Sequence, residues 1–111
     1  MDFIAACAAA LEKWETIAAL GLTAEDLEPA GLSQCELCRY FDQDDRPLLT
    51  GCRQCNEKVR WTASGHICTH KTAPYYWWLH AKDAAERISH ADKIVNLFRD
   101  CLAREGAEGA L

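Results

Sequence analysis

The sequence predicts a mainly α-helical single domain over residues 1–111, with two long terminal helices packed as a hairpin around a small zinc-knuckle or zinc-ribbon-like module. Three observations predict it. Apolar residues recur every three or four positions near both ends of the chain, the signature of one-sided helices. Two Cys-x-x-Cys pairs, Cys35–Cys38 and Cys52–Cys55, stand in the middle with Cys68 beyond them. At 111 residues the chain is long enough for one modest core and too short for a large catalytic scaffold.

The first helix is expected within residues 1–21. Ile4, Cys7, Leu11, Trp14 and Ala18 fall on one stripe, Asp2 is placed to cap the start, and Gly21 is placed to stop it in the left-handed conformation. Cys7 lies on the stripe and reads as a small buried hydrophobe. Residues 22–34 read as a short helix and a connection. Thr23-Ala-Glu-Asp26 resembles a capping box, and Pro29 and Gly31 stop the helix soon after. In the module at 35–71, the composition of residues 42–47 marks a polar loop. Leu48–Thr50 is a candidate short strand and Glu57–Ala63 a candidate helical turn. The last helix is expected over 72–105, capped by Thr72 or Ala73 and entered through Pro74, which has no N–H to leave unpaired in the first turn. From Trp77 a continuous apolar seam runs through Ala81, Ala84, Ile88, Ala91, Val95, Phe98 and Leu102, and the helix is expected to end by Gly106.

The paired cysteines point to metal. A Cys-x-x-Cys turn aims two thiolates at one point, and two such turns complete a tetrahedron of soft ligands suited to structural Zn²⁺. Five thiols, Cys35, Cys38, Cys52, Cys55 and Cys68, compete for four positions. Cys35 and Cys38 belong to every solution, and Cys52 with Cys55 is the simplest completion, with Cys68 the alternate. His66 and His70 flank Cys68 at a spacing too short for a finger and read as solvated or supporting residues, and His80 and His90 as helix-surface residues. The acid-rich start carries no basic leader, so the thiols are expected in a reducing cytoplasm. Seven cysteines also cannot all pair within one chain. The thioredoxin reading lacks its βαβ setting.

Formal charge is −5, distributed unevenly: −8 over residues 1–45, +4 over 46–71 and −1 over 72–111. Zinc on four thiolates would bring the folded protein to about −7. Such a body is a poor general binder of polyanions, although Arg53, Lys58, Arg60 and Lys71 form a local basic segment. No apolar run approaches the roughly 20 residues a membrane span needs. Four thiolates close a zinc site that catalysis would need open, and neither a deaminase signature nor His-Glu-x-x-His is present, so no enzymatic activity is expected. Aromatics concentrate at Tyr40, Phe41, Trp61 and Tyr75-Tyr-Trp-Trp78. Tyr40, Phe41 and Trp61 can pad the small core and Trp77 can join the seam. Of this set, Trp61, Tyr75, Tyr76 and Trp78 are the candidate anchors for a partner.

Trp14-Glu-Thr-Ile17, Cys35-x-Leu-Cys38-Arg-Tyr-Phe41, Cys52-x-x-Cys55, Gly65-x-x-Cys68 and Ala73-Pro-Tyr75, followed by a long helix, together resemble small zinc-knuckle proteins of tailed phages and prophages. Asn56 stands where that pattern tends to have Pro, and Ala73 where it tends to have Thr. The resemblance includes all five cysteines and implies an accessory protein acting in the bacterial host cytoplasm.

The expected function is therefore non-enzymatic binding of a host protein or nucleoprotein complex. Its specific form is a counter-defence, anti-CRISPR-like inhibitor whose acidic face occupies a surface built for nucleic acid. One alternative is a nucleic-acid-binding zinc module using Arg53, Lys58, Arg60 and Lys71 on phosphates. Another is a structural phage component that forms a homodimer through the C-terminal helix.

Overall fold

The computed structural model describes residues 2–27, 50–62, 68 and 70–109. They form five helices and, among the described residues, no strand: α1 (Phe3–Leu20), α2 (Ala24–Leu27), α3 (Thr50–Val59), α4 (Pro74–Leu79) and α5 (Ala84–Gly109). The expected mainly helical fold with two long packed helices is what is observed. The first half of the expected zinc module lies outside the described residues, as do Tyr40, Phe41 and His66. The strand expected at Leu48–Thr50 also falls there, apart from Thr50, which opens α3.

α1 begins and ends as its sequence dictates. The Asp2 carboxylate accepts from the Ala5 N–H at 2.7 Å, and Gly21 adopts φ 64°, ψ 36°, so that its own N–H and that of Leu22 both turn back to the Ile17 carbonyl. The buried stripe is Phe3, Ala6, Cys7, Ala10, Trp14, Ile17 and Ala18. It is rotated slightly from the expected one, leaving Ile4 46% exposed while Phe3 faces inward. Ala6 and Ala10 are fully buried within the stripe. α1 pairs Gly21 with Ala84 and Ile88 at one end and Cys7 with Phe98 at the other, so the two helices run antiparallel.

Thr23 and Asp26 form the reciprocal cap of α2: the carboxylate accepts from the Thr23 N–H at 2.8 Å and the Thr23 hydroxyl accepts from the Asp26 N–H at 3.2 Å. The Thr23 N–H foremost, and then the Thr23 hydroxyl, which donates to the same carboxylate oxygen at 2.9 Å, hold the Asp26 carboxyl below its ordinary value. A lowered folded-state pKa adds stability above the unfolded carboxylate's pKa. That contribution disappears as pH falls through the folded value.

The expected single helix over 72–105 is two helices. Ala73 and Pro74 begin α4 as expected, but it stops at Leu79 with His80 in a non-helical conformation (φ −100°, ψ 7°). α5 then starts afresh: Asp83 Oδ1 accepts from the Glu86 N–H at 2.8 Å, and the Glu86 carboxylate accepts from the Lys82 N–H at 3.1 Å. This local capping box overrides the continuous apolar spacing. The break rotates α4, burying Trp78 and turning Trp77 outward to 50% exposure, so Trp77 does not continue the α5 seam. At the far end α5 passes the expected stop at Gly106 and runs to Gly109.

The core joins Ala91, Ile94, Val95, Phe98 and Cys101 of α5 to the α1 stripe, with Cys55, Val59, Trp61, Ala73 and Trp78 closing one side. Edge-to-face aromatic contacts tie the elements together: Trp14 with Trp78 at 4.7 Å, Trp14 with Tyr75 at 5.9 Å and Trp61 with Phe98 at 5.3 Å. Each is worth roughly 0.5–1.5 kcal/mol beyond the area it buries. The Cys7 and Cys101 thiols meet inside the helix pair. The hydrogen bond with Cys7 lowers the Cys101 pKa against the opposing effect of burial.

Candidate metal centre and partner surface

The second cysteine pair lies on a helix, not in a loop. Cys52 is in α3 one turn before Cys55, and positions three apart share a helix face. The side chains of Cys52 and Arg53, and all of Cys35 and Cys38, lie outside the described residues. Cys55 is buried, and its sulfur accepts a hydrogen bond from the Trp61 indole N–H at 3.3 Å. Cys68 packs, partly buried, against the same core as Cys55 and Trp61. An acceptor sulfur held by an N–H donor is the supporting arrangement that metal-bound thiolates use to disperse their charge. Among the described residues no three His, Cys, Asp or Glu side chains converge.

The segment that delivers Trp61 to Cys55 is built by three features. α3 ends with the Arg60 N–H on the Asn56 carbonyl at 2.7 Å, and Arg60 takes φ 65°, a left-handed conformation unusual outside glycine. Asn56, buried, then clasps Thr62 from both ends of its amide, accepting from the Thr62 N–H at 2.9 Å and donating to its carbonyl at 3.4 Å. The sharp turn thus folds Trp61 back over Cys55. Asn56, noted in the sequence only as a departure from Pro, makes the turn possible.

His70 is engaged locally: its Nδ1 accepts from the Thr72 N–H at 3.2 Å and lies 2.8 Å from the Thr72 hydroxyl. The Ala73 N–H bonds the His70 carbonyl at 2.8 Å, which sets the entry into α4.

The aromatic candidates separate into two groups. Trp61 and Trp78, expected as partner anchors, are 4% and 2% exposed and belong to the core, because the tight turn and the α4 rotation drive them inward. Tyr75 is half-buried between Trp14, Trp61 and Trp78. Tyr76 remains at the surface margin, packed on Trp77 at 5.3 Å and His80 at 4.4 Å. The outward residues of α4 that sequence reasoning missed are Trp77 and Leu79, 50% and 41% exposed. The Tyr-Tyr-Trp-Trp run signalled the exposed indole, although only the helix break decides which one faces out, and no motif singled out Leu79.

Within the basic segment, Lys58 is tied to neighbouring helices. Lys58 bonds Glu105 at 3.1 Å, lies 5.5 Å from the Phe3 ring, and its carbonyl accepts from Arg104 at 2.8 Å, so it fastens α3 to the ends of α1 and α5. Arg60 and Lys71 are exposed. Elsewhere, Arg87 donates to the Gly21 carbonyl at 2.9 Å, placing a cation at the negative end of α1.

No family model, curated protein or solved structure matches the chain.

Proposed function

We propose that the protein is a non-enzymatic, zinc-stabilised helical binding protein in which the cysteine cluster is a structural clasp and α4 carries the contact surface. Cys35 and Cys38, with two of Cys52, Cys55 and Cys68, hold the ion. The observation that carries the clasp is the Trp61 N–H bond to the Cys55 sulfur, with Cys68 on the same core. In this reading the metal joins the segment before α3 to the Trp61–Tyr75 aromatic layer and so fixes how α4 is presented.

The occupant of that surface is a host protein, in keeping with the resemblance to phage accessory proteins, and the specific form is a counter-defence inhibitor. The exposed Trp77 and Leu79, flanked by Tyr76, form an anchor group of the kind that dominates protein contacts. In the nucleic-acid alternative, Lys58 would exchange its exposed ion pair with Glu105 for phosphate, beside the exposed Arg60 and Lys71. Affinity capture from bacterial lysate tests the proposal when wild type is compared with the Trp77→Ala, Leu79→Ala double variant. A protein retained by wild type and lost with the variant is expected. Recovery of nucleic acid alone, lost at raised salt, would favour the alternative.

A further inference from the structure

The surface between α4 and α5 opens into a groove of about 390 Å³, whose walls include Trp61, Pro74, Trp77, His90, Lys93 and Leu97. We infer that this groove binds a small planar aromatic anion, with its ring against the Trp77 indole and its anionic group on Lys93. The inference is independent of the zinc proposal.

Size and lining come first. The volume falls at the lower end of the range of small-molecule sites, which are chiefly apolar with a few convergent polar groups. Trp61, Pro74 and Leu97 provide the apolar wall. The Trp77 ring lies over the His90 imidazole side of the groove, with 6.5 Å between centroids and 32° between planes. Trp77 is 50% exposed, so a flat ring gains contact area there without displacing core side chains.

The polar groups select charge. Lys93 is exposed one turn after His90 on α5, lines the groove, and makes no ion pair with a described residue. No described carboxylate lines the groove with it. His90 Nδ1 is enclosed without a hydrogen-bond partner, although buried polar atoms in native proteins nearly always have one. The groove therefore offers an available cation and a stacking face together, with His90 as part of its wall. A neutral ring would leave Lys93 without a partner, and an aliphatic acid would leave the indole uncovered.

The probe is 2-naphthoate, titrated into ¹⁵N-labelled protein while the four indole N–H signals are followed. The Trp77 signal is identified by its loss in Trp77→Phe. A saturable shift of that signal is expected, with a dissociation constant of about 1 mM or below. Lys93→Met is expected to weaken binding about tenfold, as loss of a charge-assisted hydrogen bond does, and neutral 2-naphthamide to bind wild type about tenfold more weakly. No saturable shift at several millimolar probe would overturn the inference, and so would equal affinity for acid and amide. Unchanged affinity in a folded Lys93→Met variant would also overturn it. Should that variant fail to fold, the acid–amide comparison on wild type decides alone.

Discussion

Trp61 is where the residue scale is most informative. Its ring packs edge-on to Phe98 and Tyr75 while its N–H reaches the Cys55 sulfur. Trp61→Phe keeps an aromatic body in the core and removes only the donor. If the sulfur is a zinc thiolate, the loss is expected to weaken zinc about 10–100-fold in chelator competition, the range found when supporting hydrogen bonds are removed. A Phe variant with wild-type zinc affinity would separate the indole from the metal. This contact was not legible in the sequence. The cysteine spacing marked Cys55, and composition marked Trp61 as aromatic padding or anchor. Their hydrogen bond depends on Arg60 adopting φ 65° and Asn56 locking Thr62, which no spacing rule encodes.

At the scale of elements, local caps decided what periodicity left open. Asp2, Gly21, the Thr23–Asp26 box and the Ala73–Pro74 entry were all legible, because each end is set by a few adjacent residues. The break between α4 and α5 was equally local, at Asp83-Ala-Ala-Glu86, yet the unbroken apolar spacing from Trp77 to Leu102 concealed it. The consequence is large for the surface, since it exchanges Trp77 for Trp78. Asp83→Ala removes the cap of α5 and is expected to destabilise the protein by about 1 kcal/mol. Urea denaturation checks it through a lower midpoint at unchanged slope. A midpoint equal to wild type would mean that packing alone sets the start of α5.

For the whole molecule, α1 and α5 form a closed antiparallel pair whose shared face is filled by small and aromatic side chains. α3 is fastened to it through Lys58, Glu105 and Arg104, and α4 through the Trp14–Tyr75–Trp78 contacts. The hairpin of terminal helices was legible because both stripes are long and regular. The geometry between them was not legible: Cys52 and Cys55 lie on α3, where the sequence suggested a chelating turn. Under the clasp we propose, zinc would be the link between the two cysteine pairs. The most direct test is metal content of the purified protein by inductively coupled plasma mass spectrometry, repeated for Cys52→Ser, Cys55→Ser and Cys68→Ser. One zinc per wild-type chain is expected, lost in two of the three variants. Wild-type protein purified without metal would contradict the clasp and the function built on it.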